Sequence, residues 1–437
     1  MTHIMDRITI FYDNLEWDAQ HMSDVTASGE KNSPIQLHEA QTRDEAERLI
    51  EQGYPINHLT HVTRSTPLLV ACKQSRNDVI RLLLELGCDM NLSNIYGDSP
   101  LHIVVSTNNE EAFKDLLNKG ANPNTSNDVG QTLLHISVGA THTNNLLSRI
   151  LDSIDNDIIN HQDKWGRSAL RFASSQKTVD SETVDYDPLV NVELLLSKGA
   201  DPNLPCHEHL TPLHIATQGQ FPSTIKALLE HGASIHVRDK EHGHTALQMA
   251  SQEDSVEVVR ILVEANSDMN TIDIRGNSLL HTAKEKEVLN YLLTTSCVNL
   301  INTKNHEGHT PLHIIVHRHD GIDMVESLLN NNADISILNN NGQSCLHTCI
   351  GSIFSQRLNI IKKLVHIGVD VLLKDIFDKN AVDYIPERDI ESRKYLQGVI
   401  DDCKNPGFKR MNTNTNTQIE DEDEDTNDMG FDEEKKT

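Results

Sequence analysis

The sequence predicts an all-α solenoid built from stacked pairs of short helices, and two observations carry this prediction. A four-residue pattern recurs in register, with successive intervals of 33, 33, 36, 43, 34, 33, 32 and 34 residues. Hydrophobic residues make up 37% of the chain but aromatic ones only 4%, which suits thin aliphatic layers that bury side chains only against their neighbours. The pattern starts at Thr66, Ser99, Thr132, Ser168, Thr211, Thr245, Ser278, Thr310 and Ser344.

Each copy of the pattern predicts two helices and a turn, as the copy at Thr211 illustrates. Thr211 can cap a helix that begins with Pro212, because a proline there lacks only an N–H that would be unpaired anyway. In a second helix, Ile225 and Leu228 fall on one apolar stripe, and Gly232 can end that helix in a left-handed conformation. Such a pair cannot bury its apolar face alone, so it requires copies of itself alongside.

The array begins and ends with incomplete copies. An opening unit starts near residue 35 without the Thr-Pro pair, and a weaker match at Asn380 precedes a helix from about Arg388 to Cys403 that would cap the stack. We therefore divide the chain into a partly ordered leader (1–34), a repeat array (35–403) and an acidic tail (404–437). The tail should be disordered, because it has almost nothing to bury.

These motifs resemble those of the ankyrin-repeat family. The period of about 33 residues, the Thr-Pro-Leu-His signature, paired leucines such as Leu228-Leu229 and closing turns such as Gly199-Ala-Asp-Pro-Asn203 all match. The resemblance covers roughly residues 35–403 and implies about ten to eleven repeats. It also implies helix-turn-helix units joined by β-hairpin fingers along one edge, and a function in binding other proteins.

Three departures from the regular period mark places where the array changes. The interval of 43 residues holds an acidic insertion, 176–188, which is either a functional loop or a tolerated solvated one. The interval of 36 residues predicts a lengthened second-helix region from Ile150 to Ile159. A longer connection between two helices is expected at 351–358.

Charge and composition restrict the classes of partner. The formal net charge is −27, and a nucleic-acid binder needs a basic face, so we expect no nucleic-acid partner and favour proteins with a basic surface. Seven scattered cysteines without framework spacing indicate reduced thiols, which predicts a cytoplasmic protein, with the nucleus as the alternative. No stretch of eighteen apolar residues occurs, so we expect no membrane insertion. We also expect a monomer.

The sequence offers no catalytic motif, so we expect a protein that is not an enzyme and needs no cofactor. Of the 24 histidines, those at the fourth signature position should bridge backbone groups of adjacent turns. His313 and His317 have the i, i+4 spacing of a zinc pair, but no further ligand completes the site in sequence, so no metal is assigned. The histidines expected to be structural are His38, His102, His135, His214, His281, His313 and His347.

The resemblance implies that residues beside the finger glycines and after the first helices contact a partner. We favour a non-catalytic scaffold, with Tyr96, Trp165 and Arg167 as its main contacts, because these residue types supply binding hot spots. Trp165 could instead fold back onto its own hairpin. The partner-binding candidates are Ile95, Tyr96, Lys164, Trp165, Arg167, Leu210, Ile274, Arg275, His306, His309, His317 and Arg318.

Two other functions stay open. The protein could recruit substrates to a ubiquitin ligase or resemble the NF-κB inhibitors, although neither an F-box-like or SOCS-box-like segment nor an Asp-Ser-Gly-x-x-Ser motif is present. A metal-binding or enzyme-associated module is an alternative of a different class. Similar ankyrin turns are targets of asparagine hydroxylation, and the matching turn residues here are Asn91, Asn124, Asn203 and Asn270.

Overall fold

The computed structural model describes residues 36–139, 144–175, 188–318, 321–350 and 357–404, and these fold as a row of helix pairs. The predicted all-α ankyrin-type solenoid is confirmed. The first helices of successive pairs are Gln36–Glu39, Pro67–Lys73, Pro100–Ser106, Leu133–Gly139, Ala169–Ala173, Pro212–Gly219, Ala246–Ala250, Leu279–Thr282, Pro311–Ile315 and Cys345–Ile350. The second helices are Arg43–Glu51, Asn77–Glu85, Glu110–Asn118, Asn144–Ser153, Leu189–Ser197, Pro222–Glu230, Val256–Glu264, Lys286–Leu293, Gly321–Asn330 and Arg357–Ile367.

The last pair differs from the others, because a 3-10 helix, Ala381–Tyr384, takes the place of the first α-helix and precedes Ile390–Lys404. The closing helix buries Leu396 and Ile400, whereas Ile390 at its start is 71% exposed. Two further 3-10 turns, Asn156–Ile158 and Ser296–Leu300, follow second helices.

First helices begin at their Thr or Ser because the signature satisfies the free N–H groups of the first turn. In the pair at Ser99, the hydroxyl accepts from the N–H of His102, and His102 Nδ1 accepts in return from the N–H of Ser99 at 3.2 Å. Pro100 occupies the first helical position, where no donor is needed. This reciprocal pair is a capping box in which histidine replaces the usual glutamate.

The other ring nitrogen of the signature histidine ties one unit to the next. His102 Nε2 lies 3.2 Å from the carbonyl of Gln131, and His281 Nε2 lies 3.0 Å from the carbonyl of His309. The neutral Nε2–H tautomer satisfies both bonds, because Nδ1 accepts and Nε2 donates. The same reach to the next unit occurs at His38, His135 and His313, which confirms the predicted bridging role for these five histidines. Nε2 of His214 and Nε2 of His347 make no hydrogen bond within the described part of the chain, so the predicted bridge is not formed there.

One apolar core runs along the array from Leu37 to Ile400. First helices pack on the first helices of neighbouring units and second helices on second helices, so each layer buries its aliphatic side chains against the next. Phe113 is the largest fully buried side chain, and it lies in a second helix. No described helix is long and apolar enough to cross a membrane.

Two expectations about backbone structure can be made more exact. The lengthened second-helix region expected from Ile150 to Ile159 consists of the end of the helix Asn144–Ser153 and a separate 3-10 turn at Asn156–Ile158. The fingers between units are tight turns rather than regular hairpins: the described parts of the chain hold isolated bridges at Ser126–Thr132 and Gln162–Ser168 but no β-strand. The acidic insertion up to residue 187, most of the connection at 351–358, the leader and the tail lie outside the described residues.

Candidate protein-binding surface

Most fingers owe their shape to an Asn or Asp at the start of the turn and a glycine near its end. In the finger 94–98, Asn94 Oδ1 accepts from the N–H groups of Tyr96 and Asp98, both at 2.9 Å. Gly97 has φ of +77°, which favours glycine because other residues are strained there. This turn leaves two side chains, Ile95 and Tyr96, at the tip, and both are exposed.

A continuous ladder of backbone hydrogen bonds joins each finger to the next. Asp128 N–H donates to the Tyr96 carbonyl at 3.0 Å, and Lys164 N–H donates to the Val129 carbonyl at 3.0 Å. The ladder continues in the same way, with the N–H of the first residue of each pair donating to the carbonyl of the second: His207 and Trp165, Lys240 and Glu208, Ile274 and His242, His306 and Arg275, Asn340 and Glu307, and Ile376 and Asn341. The tip side chains therefore stand in a fixed row, which we call the fingertip row: the two tip residues of every finger from Val62-Thr63 to Ile376-Phe377.

Exposed apolar side chains concentrate in the fingertip row. A large apolar side chain that stays exposed on a rigid turn has no part in the core, and such clusters typically mark interaction sites. Ile274 is 60% exposed and lies beside exposed Arg275, and Lys164 is exposed beside Trp165. The exposed apolar members of the row are Val62, Ile95, Tyr96, Trp165, Ile274, Ile376 and Phe377.

Trp165 is held in place by its neighbour rather than buried. The Arg167 guanidinium carbon lies 4.4 Å from the centre of the Trp165 ring and 4.6 Å from the centre of the Phe172 ring. Arg167 also donates to Asp163 Oδ2, with Nε and Nη2 both at 2.7 Å. Trp165 remains 41% exposed, so it presents a surface to solvent while Arg167 supports it from behind.

Leu210 does not reach the surface. It is 7% exposed and packs with Cys206, Ile215 and Met249, so the structure gives it a packing role instead of the predicted partner contact. The finger 206–210 also lacks the usual turn residues, because Cys206 replaces the Asn or Asp and His209 adopts φ of +61° where most other fingers have glycine. The tip residues His207 and Glu208 are nevertheless exposed.

Arg318 likewise has a structural task that the sequence did not reveal. Its guanidinium donates to the carbonyls of Ala283 and His281 in the preceding unit, the latter at 2.9 Å, and burial lowers the pKa of Arg318. It therefore closes the end of a neighbouring first helix and is a poor candidate for a partner contact. His317 is exposed, with Nδ1 3.2 Å from the carbonyl of Thr348.

The predicted residues His306 and His309 come together beside an open cleft between two fingers, lined also by Glu307, Asn340 and Asn341. His306 is exposed at a tip. His309 is half-buried, and its Nε2 accepts from the side-chain amide of Asn339 at 2.9 Å. His309 thus supports the neighbouring finger, while His306 is free to meet a partner.

Sequence reasoning missed three apolar members of the fingertip row. Val62 lies four residues before the signature at Thr66, and Ile376 and Phe377 lie four and three residues before Asn380. Ile95 and Tyr96 occupy the same register before Ser99. The register before Thr66 and before Asn380 is therefore a sequence signal for all three.

The four turn asparagines fall into two groups. Asn124 and Asn203 bind the turn of the next unit: Asn124 Oδ1 accepts from the N–H of Asp155 at 2.9 Å, and Asn203 Oδ1 accepts from the N–H of Ser234 at 2.7 Å. Asn91 and Asn270 are exposed, and their recorded bonds involve only the backbone N–H.

The histidine pair considered for zinc is not brought together as a metal site. Both ring nitrogens of His313 are occupied by backbone and hydroxyl groups within the signature and by the carbonyl of Gln343. Among the described residues, a different trio places ligand atoms close to one another. Asp239, His242 and His244, on a finger in the middle of the array, each offer one ligand atom within 4.8 Å of the others.

Comparison with known proteins supports the repeat architecture. The family model for ankyrin repeats (3 copies) matches residues 37–127, 185–273 and 275–375. The chain is 29% identical over 199 residues to human transient receptor potential cation channel subfamily A member 1, covering 44% of this chain and 17% of that protein. It is 33% identical over 129 residues to mouse neurogenic locus notch homolog protein 1, covering 29% of this chain and 5% of that protein.

A third relative is human NF-kappa-B inhibitor zeta, 26% identical over 195 residues, covering 36% of this chain and 26% of that protein. The matched segments span no more than 26% of any of these three proteins. The likeness therefore lies in the repeats and not in the remainder of these proteins. Because the family model matches more than half of the residues, the chain belongs to the ankyrin-repeat family.

Proposed function

We propose that this protein is a non-catalytic scaffold that holds a protein partner against its fingertip row. The observation that carries the proposal is the coincidence of exposed apolar side chains with a backbone already fixed by the finger-to-finger ladder. A fixed row loses little conformational freedom on binding, which favours affinity. Ankyrin repeats typically mediate protein–protein interaction, which agrees with this assignment.

Within the row, we assign the main contacts to Ile95, Tyr96, Lys164, Trp165 and Ile274. Arg275 and His306 are exposed at finger tips and would supply polar contacts at the rim of the interface. Exposed His317 follows the first helix Pro311–Ile315 and would add a contact outside the row. Arg167 acts through Trp165, because its guanidinium is already engaged by Asp163 and two aromatic rings. Ile376 and Phe377 extend the surface to the last finger.

We further propose that the partner presents a basic surface, because the chain carries a net charge of −27. Complementary charge speeds association more than it tightens the final complex. Association rates should therefore fall with added salt more steeply than dissociation rates rise. We place this activity in the cytoplasm, with the nucleus as the alternative, and we expect the protein to act as a monomer.

The experiment compares capture from native lysate by the full chain and by the double variant Tyr96→Ala/Trp165→Ala, with bound proteins identified by mass spectrometry. Hot-spot residues each contribute about 2 kcal/mol or more, so losing both should cost about 4 kcal/mol and weaken binding of a genuine partner by roughly 700-fold. The matched control is Leu86→Ala/Val190→Ala, which removes two exposed apolar side chains away from the fingers, one directly after the helix Asn77–Glu85 and one within Leu189–Ser197.

Both double variants should keep the helical circular dichroism of the parent. A partner that is lost with the fingertip variant and retained with the control supports the proposal. Equal retention by both variants would show that recognition uses another face. A chain truncated after residue 403 tests separately whether the acidic tail contributes.

The asparagine turns support a secondary proposal, modification by hydroxylation. Asn91 and Asn270 are the better candidates of the four, because their side chains are exposed while Asn124 and Asn203 are bonded to the next unit. Intact-mass measurement of protein isolated from cells should show added oxygen, and peptide mapping should place it on one of these two residues. An unmodified mass would refute hydroxylation and leave the proposed scaffold function unaffected.

A further inference from the structure

The finger 239–244 is one residue longer than the finger 94–98, and the extra residue changes which side chains of the finger contact one another. Asp239 Oδ1 accepts from the N–H groups of His242 at 2.6 Å and Gly243 at 3.1 Å, so the turn is built as elsewhere but over a wider loop. The wider loop places the His242 and His244 rings against each other, with ring centres 5.0 Å apart and planes 13° apart. Two imidazoles and a carboxylate therefore share one turn.

The second carboxylate oxygen of Asp239 has an unusual environment. The residue is 7% exposed, and Oδ2 makes no hydrogen bond within the described part of the chain. The nearest titratable atom is His244 Nδ1, at 3.8 Å. A buried carboxylate oxygen without a donor is unfavourable unless something else neutralises it.

From this geometry we propose that Asp239, His242 and His244 form a binding site for a divalent transition-metal ion, with Zn²⁺ as the best match. Zinc prefers imidazole and carboxylate ligands at about 2.0–2.2 Å in a tetrahedral arrangement. Such bonds place ligand atoms roughly 3.3 Å apart, so the trio, already within 4.8 Å, must close only slightly. The side chain of His242 is 46% exposed and can rotate to do so, and it leaves the fourth position open to solvent.

The adjacent finger supplies the group that would orient the buried ligand. His244 Nε2 lies 3.5 Å from Asp273 Oδ2, and the contact with that carboxylate directs Nδ1 towards Asp239. Histidine ligands in metal sites are commonly held by a carboxylate in this manner. The side-chain amide of Gln252 lies 3.2 Å from His244 Nδ1, and a bound ion would displace it.

The array itself offers a clean substitution for the test. Asn94 and Asn305 start other fingers and hold the same turn through Oδ1, so Asp239→Asn should keep the finger folded while removing the anionic ligand. His242→Ala removes an exposed ligand at little cost to folding. His236→Ala removes an exposed histidine outside the trio and serves as the control.

The measurement is calorimetric titration of ZnCl₂ into the full metal-free chain and the three variants, with thermal unfolding recorded with and without zinc. The parent and His236→Ala should bind one Zn²⁺ at this site and unfold at a higher temperature in its presence. Loss of even an outer-shell partner costs metal sites about 10–100-fold in affinity, so His242→Ala and Asp239→Asn should each weaken binding by at least ~10-fold. Parent-like affinity in both variants, or no binding by the parent, overturns the proposal.

Discussion

Replacing a signature histidine by glutamine should make the protein less sensitive to acid without disturbing its fold. The array contains its own precedent, because Gln248 occupies the signature-histidine position of the unit at Thr245. Its Oε1 accepts from the N–H of Thr245 at 3.2 Å, and its Nε2 donates to the carbonyl of Asn277 at 3.5 Å. Glutamine therefore makes both bonds of the histidine but cannot take up a proton.

The variant His281→Gln tests this at a buried site. Burial lowers the pKa of His281 from 6.5 to about 4, although the hydrogen bond to the His309 carbonyl and the charge of Asp273 oppose the shift. The folded state thus keeps this imidazole neutral down to about pH 4, whereas the unfolded chain binds a proton near pH 6.5. Between these values the unfolded state binds more protons, so stability falls as the pH falls.

The magnitude follows from the two pKa values. Between pH 7 and pH 5, proton uptake by the unfolded chain lowers the free energy of unfolding by about 2 kcal/mol for one such histidine. His135 and His313, with pKa values of about 4 for the same reason of burial, should each contribute a similar loss. The titration of Asp375 does not add to this loss, because its pKa of about 2 places its effect on stability below pH 5.

The assay is urea unfolding followed by circular dichroism at pH 7 and pH 5 for the parent and for His281→Gln. The parent should lose about 2 kcal/mol more stability over this range than the variant, since all other titrations are common to both. Measuring the variant at pH 7 alone shows whether glutamine preserves the two hydrogen bonds. Equal losses in the two proteins would refute the assignment of acid sensitivity to the buried signature histidines.

Two further predictions concern packing. Gly232 has φ of +84° and no described atom within 4 Å of a new Cβ, so Gly232→Ala should cost about 1–2 kcal/mol of backbone strain. Gly308→Ala would also bring a Cβ within 2.5 Å of the Asn340 backbone nitrogen and should cost about 1–3 kcal/mol more. Similar losses of stability in the two variants would contradict the close contact between fingers. Phe113→Ala should lower the free energy of unfolding by about 3–5 kcal/mol, against about 0.5 kcal/mol or less for exposed Leu86→Ala, as denaturant unfolding would measure.

The repeat architecture could be predicted because it depends on local chemistry repeated in register. Thr211 and Pro212 fix where a first helix begins, and Gly232 fixes where a second helix ends, with φ of +84° as expected. The extra residues in the interval of 36 were harder to place, because apolar residues three apart fit both an α-helix and a short 3-10 turn. The helix ends at Ser153, and the 3-10 turn Asn156–Ile158 follows it.

The surface was predicted less well, because exposure depends on contacts between units that no single repeat encodes. Leu210 precedes a first helix as fingertip residues do, but it packs in an apolar cluster. Arg318 follows a first helix, but its guanidinium binds two carbonyls of the preceding unit. The trio at Asp239 was not predicted from the sequence for a similar reason, since its sequence signal is a single added residue in the finger 239–244.

The ladder between fingers explains why recognition and stability can change independently in this protein. Each finger uses its backbone N–H and carbonyl groups to bind the adjacent fingers, so a partner meets mainly side chains. Most tip side chains make no contribution to the core, and their replacement should alter binding alone. Trp165 and Arg167 are the exception, because Arg167 joins the tip ring to Phe172 and to buried Asp163. Substituting Arg167 should therefore affect binding and local stability together, whereas substituting Tyr96 should affect binding only.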